Sequence, residues 1–363
     1  MKNVIRKTSV AFATLVILGI FASCDNRPKK ETKQVAEVVE MSAFNNTQLE
    51  DVATQEPIVF ITGIDKSNSD FYKNARTYFK EKNLKIVEGA YSLEEIITWM
   101  NSNGDSKPFG EVHIVNYNNP FTGMSLETVV NGETITAETL RKNITQGKLP
   151  SLKSVVNRNT NIIFHSQGLA ENTELMKTIK DAFVANETPN IVATQYYNVF
   201  GGEFKKHYLA QPYYVFYPTA HSPGKIDLSK EIARKYSEEK EINWFDALNN
   251  EEERYVGEAY TQQFNVPVKF ELDYHNSDEA IPTFTMQEEI MDFIEEMPEL
   301  QREIKALNIP VDKFRWTWDI VNSQLIIKGK TTVLTVLKPV TKPYGDLEHV
   351  EPDTKNKRLY AMK

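Results

Sequence analysis

A serine lies at a position from which many hydrolases act. The stretch Phe164-His165-Ser166-Gln167-Gly168 follows the apolar residues Ile162 and Ile163 and leads into a segment with helical spacing. A serine on a tight turn between a strand and a helix can stand clear of the backbone, where a neighbouring base removes its proton. Ser166 is therefore a candidate nucleophile.

The same stretch resembles the nucleophile elbow of α/β-hydrolases, in which glycines stand two residues before and two residues after the serine. Gly168 matches the second glycine, but the bulky Phe164 takes the place of the first. The resemblance implies an acid and a histidine downstream, and the available histidines are His207, His221, His275 and His349. A serine hydrolase or esterase that uses Ser166 is kept as an alternative function.

The surrounding chain alternates short apolar strands with amphipathic helices. Strands are predicted at 57–64, 84–90, 111–119, 161–168 and 190–200, with helices between them. Ser92 with Glu95 forms a predicted capping box, and Thr136 is a predicted helix cap. This order predicts an α/β fold with a mainly parallel sheet and helices on both faces, whose ligands bind beyond the carboxyl ends of the strands.

A hairpin signal stands between the third and fourth strands, at Asn131-Gly132. A third strand, a hairpin, a helix and a fourth strand that turns into a helix, in this order, resemble the caspase-like fold of clostripain, gingipain and CHAT-type peptidases. The resemblance covers about residues 57–200. It implies a general-base histidine after the third strand and a nucleophilic cysteine after the fourth.

The residues that this resemblance implies are absent. The histidine position falls on Tyr117, or on Asn116 or Asn118 if the strand shifts, and the cysteine position falls on Gln167 or Ser166. The domain contains no cysteine, which excludes thiolate chemistry. The resemblance therefore implies a degenerate site (Tyr117, Asn118, Ser166 and Gln167) and a pseudoenzyme rather than an enzyme.

The single cysteine, Cys24, follows a basic start and an apolar run at 10–21. That run is too short to span a bilayer and is typical of a signal peptide. Phe21-Ala22-Ser23-Cys24 resembles the lipobox of bacterial lipoproteins, which implies cleavage before Cys24 and lipidation, including palmitate, at its thiol. The alternative is a plain secretory signal with an incidental cysteine. We expect a membrane-anchored protein of the cell envelope, with the outer membrane favoured over the inner.

Composition shifts divide the chain further. We predict a signal peptide at 1–23, a flexible tether at 24–56 and the caspase-like α/β domain at 57–200. An α+β extension at 201–342 packs on that domain, and a polar tail follows at 343–363. The extension is predicted to hold a charged helical segment at 229–264, an acidic helix interrupted at Pro298 and a terminal β-hairpin.

Several functional classes find little support. A net charge of −8 argues against nucleic acid, and no sequence pattern indicates a cofactor or a metal site. His113 and His165 are predicted to be hydrogen-bonded core or rim histidines. Two acidic groups are interpreted as solvated surfaces: Asp273, His275, Asp278 and Glu279; and Glu288, Glu289, Asp292, Glu295 and Glu296.

Together these patterns predict a lipid-anchored envelope protein that binds a protein partner or serves as a scaffold in an envelope assembly. A glycan-binding envelope lipoprotein remains a further alternative, because tyrosines and tryptophans at 211–218 and 315–318 would permit it if they were exposed; the competing interpretation is that alternating strands bury these rings.

Overall fold

The computed structural model describes residues 53–65, 69–184, 187–274, 280–343 and 347–363. The predictions for the signal peptide, for Cys24 and for His275, Asp278 and Glu279 lie outside these residues.

The described residues form strands and helices that alternate with each other from the first strand to the third. The strands are β1 (Ile58–Ile61), β2 (Lys85–Val87), β3 (Glu111–Val115), β4 (Asn118–Asn119), β5 (Gly123–Met124), β6 (Asn161–His165), β7 (Asn190–Thr194), β8 (Tyr197–Phe200), β9 (His207–Pro218), β10 (Tyr260–Asp273), β11 (Arg315–Val321), β12 (Gln324–Pro339) and β13 (Tyr360–Met362). The helices are α1 (Asp70–Glu81), α2 (Leu93–Asn103), α3 (Ala137–Thr145), α4 (Thr173–Ala182), α5 (Lys225–Lys235), α6 (Trp244–Asn249), α7 (Gln287–Glu296) and α8 (Pro298–Leu307).

The first sheet has the order β2-β1-β3-β6-β7-β13. Its first five strands are parallel, and β13 joins the edge antiparallel to β7. All four residues of β1 are buried, as expected for a parallel strand that is covered on both faces. The prediction of an α/β fold with a mainly parallel sheet is confirmed.

Alternate side chains of these strands enter two separate cores. Phe60, Ile114 and Phe164 pack with α2, α3 and α4 on one face, whereas Val59 and Val115 pack with α1 on the other. The predicted caps are present: Ser92 and Glu95 form a capping box, and the Thr136 side chain accepts a hydrogen bond at the start of α3.

The second sheet is antiparallel and follows the order β10-β12-β9-β8, with β11 paired to the first half of β12. Successive residues of β9 face opposite sides, so that Val215 packs with α5 and α6 while Phe216 packs with α7 and α8. Leu209 of β9 also contacts Ile163 and Val192 of the first sheet. The second sheet therefore packs on the same face of the first sheet as α1, over the part of that face that α1 leaves uncovered.

Three boundaries differ from the sequence-based prediction. The predicted fifth strand at 190–200 is two strands, because the chain leaves the first sheet after Thr194 and enters the second at Tyr197. The segment at 229–264 is helical only in part, since β10 begins at Tyr260. The tail is not only polar coil, because Tyr360 is buried in β13.

The hairpin at Asn131-Gly132 is irregular. The Gly132 amide donates to the Val129 carbonyl at 2.8 Å and the Ile135 amide donates to the Leu126 carbonyl at 2.8 Å. Asn131 adopts a left-handed conformation with φ 57°, which asparagine tolerates in tight turns. The turn is where the sequence predicts it, although few ladder bonds flank it.

Candidate functional site

The carboxyl ends of β3 and β6 lie side by side. The two strands are parallel and pair Val115 with His165, so the residues that follow each strand emerge together. The backbone N–H of Asn118 donates to the side-chain Oε1 of Gln167 at 3.1 Å. The side-chain Nδ2 of Asn118 donates to the backbone carbonyl of Gln167 at 2.6 Å. Both residues are buried. We call Asn118 and Gln167 the amide pair; the structure brings these two predicted site residues into direct contact.

Tyr117 is held in place from α1. Its backbone amide donates to the Tyr72 hydroxyl at 2.8 Å, and that hydroxyl donates to Asp65 Oδ1 at 2.7 Å. Gly63 permits this approach, because a Cβ there would lie 2.5 Å from the Tyr72 hydroxyl. Burial, and then the nearby Asp65 carboxylate, raise the pKa of Tyr117 to about 12. Its phenol is therefore protonated at neutral pH and cannot serve as a general base.

Ser166 is buried, and its side chain does not face solvent. Its side chain is 0% exposed, and Oγ has no hydrogen-bond partner among the described residues. The turn that follows uses Gly168 at φ 61°, whose amide donates to the Tyr196 carbonyl. Of the histidines proposed as its base, His207 bonds to Asn198 at 3.1 Å and His349 to Glu253 at 2.8 Å. The described residues therefore provide no base for this hydroxyl.

A cavity of about 400 Å³ opens beyond these strand ends, and we call it the strand-end cavity. Tyr117 and Gln167 line one side of it. The opposite side comes from the second sheet and from the segment before β10, including Glu251, Glu252 and Glu253, which we call the acidic wall. The volume of the strand-end cavity falls within the range of small-ligand pockets.

The acidic wall is anchored by buried polar groups, of which the sequence suggests only His349, and in another role, as a base for Ser166. Glu253 Oε1 lies 2.8 Å from His349 Nε2 and accepts the Gly257 amide at 2.6 Å. The His349 ring stacks on Tyr208 at 4.4 Å, and the Tyr208 hydroxyl lies 3.0 Å from that of Tyr260. Burial, reinforced by Tyr260 and Glu253, raises the pKa of Tyr208 well above its usual value.

Three histidines, which we call the histidine trio, lie together against α1: His113 and His165 on one face of the first sheet, and His207 at the start of β9 in the second. His113 Nδ1 is 3.0 Å from His165 Nε2, and the rings of His165 and His207 lie 5.7 Å apart. Burial lowers the pKa of His113 to about 4 and that of His207 to about 3, and it lowers the pKa of His165 as well. The trio is therefore neutral at pH 7, and His113 and His165 lie in the core, hydrogen-bonded to each other.

The acidic candidates of α7 lie on the surface of the protein. The five acidic residues of α7 named above are exposed, as predicted for a solvated face. Among the described residues no cluster of three or more histidine, cysteine or acidic side chains has the arrangement of a metal site. In the same part of the chain, no helix combines the length and apolar character needed to cross a membrane.

Comparison of the chain with protein-family models, curated proteins and solved structures finds no match.

Proposed function

We propose that the protein is a binding or scaffolding component of a bacterial envelope assembly, with a degenerate caspase-like domain that does not catalyse. The observation that carries the proposal is the amide pair. It lies just after β3 and β6, where the resemblance places the histidine base on Tyr117 or its neighbours Asn116 and Asn118, and the cysteine nucleophile on Gln167 or Ser166.

The groups at this place are suited to holding a structure together. The side chains of Asn118 and Gln167 each bond to the backbone of the other residue, and neither titrates near neutral pH. The phenol of Tyr117 stays protonated. The strand-end cavity nevertheless opens beside Tyr117 and Gln167, so the position remains accessible to a ligand.

The lipid anchor is the second part of the proposal. The lipobox-like sequence ending at Cys24 supports attachment of the chain to a bacterial membrane, which would place the strand-end cavity in the envelope. Replacement of Cys24 by Ala is expected to block lipid attachment and to release the protein from the membrane fraction. Unchanged processing and fractionation of this variant would contradict the anchor.

The hydrolase alternative gains no support from the surroundings of Ser166, and no specific contact favours a glycan ligand. Labelling of the full-length chain with a fluorophosphonate probe separates catalysis from binding. We expect no covalent adduct, and the same result for Ser166→Ala. An adduct on the parent chain that disappears in Ser166→Ala would overturn the pseudoenzyme proposal.

A further inference from the structure

The outer edge of β10 pairs with no other strand of the described residues. β10 stands at the end of the second sheet, and its pairing with β12 is continuous along its length. Near its start, the Thr261 amide donates to the Asn250 carbonyl at 2.7 Å, on the side away from β12. Because backbone groups alternate in direction along a strand, the N–H and C=O groups of Lys269 and Glu271 also point outward.

This edge is open to another extended chain. Lys269 and Glu271 are exposed, and no described residue bonds to their outward backbone groups. Pro267 lies on the same side of the strand and has no N–H to donate, so it is tolerated at an edge and ends the row of donors. Unpaired donors and acceptors in a row are a template for a further strand.

The charged side chains of the edge are complementary to themselves. Lys269 and Glu271 form an ion pair along the strand, and Lys269 also lies directly opposite Lys328 of β12. Like charges in opposite positions destabilise a sheet, so a carboxylate on the free side of Lys269 is favourable. If two copies of β10 pair antiparallel about Phe270, Lys269 of each copy lies opposite Glu271 of the other.

The apolar face of the edge fits the same register. Val268 and Leu272 are half-buried and pack on the core under α7 and α8. Pairing about Phe270 places Val268 of one copy opposite Leu272 of the other, which covers apolar surface that is exposed in the single chain. An axis one residue earlier or later would place Lys269 or Glu271 opposite itself. One register therefore satisfies both faces.

We propose that the free edge of β10 pairs with β10 of a second copy of this chain, antiparallel and with Phe270 at the twofold axis. Lys269 and Glu271 of the two copies exchange backbone hydrogen bonds, and their side chains form a square of alternating charge. The second sheets of the two copies become one continuous sheet. A second copy fits better than an unrelated strand because the edge is complementary to itself. The paired segment at 267–273 is short, so we expect a dissociation constant in the micromolar range.

The test is sedimentation velocity of the full-length chain in detergent micelles, from about 1 to about 300 µM, a range that covers such an affinity. Glu271→Lys places two lysines opposite each other at two positions of the dimer, and Lys269→Glu does the same with glutamates. Each is expected to raise the dissociation constant at least about tenfold. Lys269→Glu with Glu271→Lys restores opposite charges and is expected to dimerise like the parent chain. A mixture of the two single variants is expected to form a heterodimer.

Two further variants separate the edge from the rest of the surface. Glu303→Lys makes the same change of charge at an exposed position on α8 and is expected to leave the dimer unchanged. Glu271→Pro removes an outward N–H without removing a bond to β12, and it is expected to weaken the dimer at least as much as Glu271→Lys. The charge-swap variants keep the test valid if the proline variant fails to fold.

A full-length chain that stays monomeric over this range of concentration would overturn the proposal. A dimer that tolerates Glu271→Lys would also overturn it, because its contact would lie elsewhere on the surface. So would a charge swap that fails to restore a dimer lost in both single variants. None of these results bears on the amide pair or on Ser166, so the proposed function stands or falls separately.

Discussion

The two sides of the strand-end cavity differ in how their polar groups are satisfied. On the parallel-sheet side, Asn118 and Gln167 bond to each other and Tyr117 is fixed through Tyr72. On the acidic wall, Glu251 and Glu252 are exposed and form no ion pair with a described residue, whereas Glu253 is buried and accepts a hydrogen bond from the Gly257 amide. Groups that are satisfied within the chain stabilise the fold, whereas groups left without a partner are available to a ligand.

The largest expected effect lies in the histidine trio on the parallel-sheet side. The pKa values of His113, His165 and His207 are lowered in the folded state, so the unfolded chain binds more protons between pH 6.5 and about 4. Stability is therefore full above pH 6.5 and falls as the pH drops through that window. We expect His113 and His207 together to cost roughly 4 kcal/mol between pH 7 and pH 5, about 2 kcal/mol each, and His165 to add to the loss in the same direction.

Urea unfolding at the two pH values measures this loss. His165→Gln should reduce the difference, because one of the three titrating groups is removed. The same unfolding free energy at pH 5 and pH 7 would show that the trio is not buried as neutral imidazole.

Asn118→Ala tests the amide pair. The substitution removes the hydrogen bond from Asn118 Nδ2 and leaves the Gln167 carbonyl buried without that donor, while the backbone bond to Gln167 Oε1 is kept. We expect a loss of about 2 kcal/mol in the free energy of unfolding, measured in urea. Asn159→Ala, at an exposed position, is the control and should change stability by less than about 0.5 kcal/mol. An equal loss in both variants would mean that the amide pair stabilises the fold no more than an exposed asparagine does.

His349→Phe tests the support of the acidic wall. Phenylalanine can keep the stack on Tyr208 but cannot bond to Glu253 Oε1. Because bonds to charged groups contribute more than neutral ones, we expect a loss of about 2 kcal/mol in thermal or urea unfolding. A stability equal to that of the parent chain would argue against a structural role for the His349–Glu253 contact.

The smallest effect on stability is expected at the rim of the acidic wall. Glu251→Gln with Glu252→Gln breaks no ion pair with a described residue, so the unfolding free energy should change by less than about 0.5 kcal/mol. Thermal unfolding measures this. A large loss of stability would place these carboxylates with the structural groups and remove the contrast between the two sides.

Local patterns in the sequence predict much of the first sheet and one side of the cavity. Capping residues such as Ser92 and apolar runs such as 58–61 are visible in the chain itself, and parallel strands bring their carboxyl ends to one edge. The contact between Asn118 and Gln167 follows from that geometry.

The other side could not be predicted, because it depends on pairing between distant segments. The acidic wall reaches the cavity only because β10 pairs with β12, with Tyr260 opposite Leu337. In the sequence, Glu251–Glu253 is an acidic run typical of a solvated surface. The break between β7 and β8 was also missed, since one continuous β-branched and aromatic segment serves two sheets.

Photo-crosslinking from β10 in the native host tests the central claim, that the strand-end cavity is the binding site. Gln262 lines this cavity, whereas Gln263 is the next residue of the same strand and does not line it. A photoreactive amino acid in place of Gln262 is predicted to capture a discrete partner, and the same group in place of Gln263 is predicted not to do so. Equal crosslinking from both positions, or none from Gln262, would contradict the account.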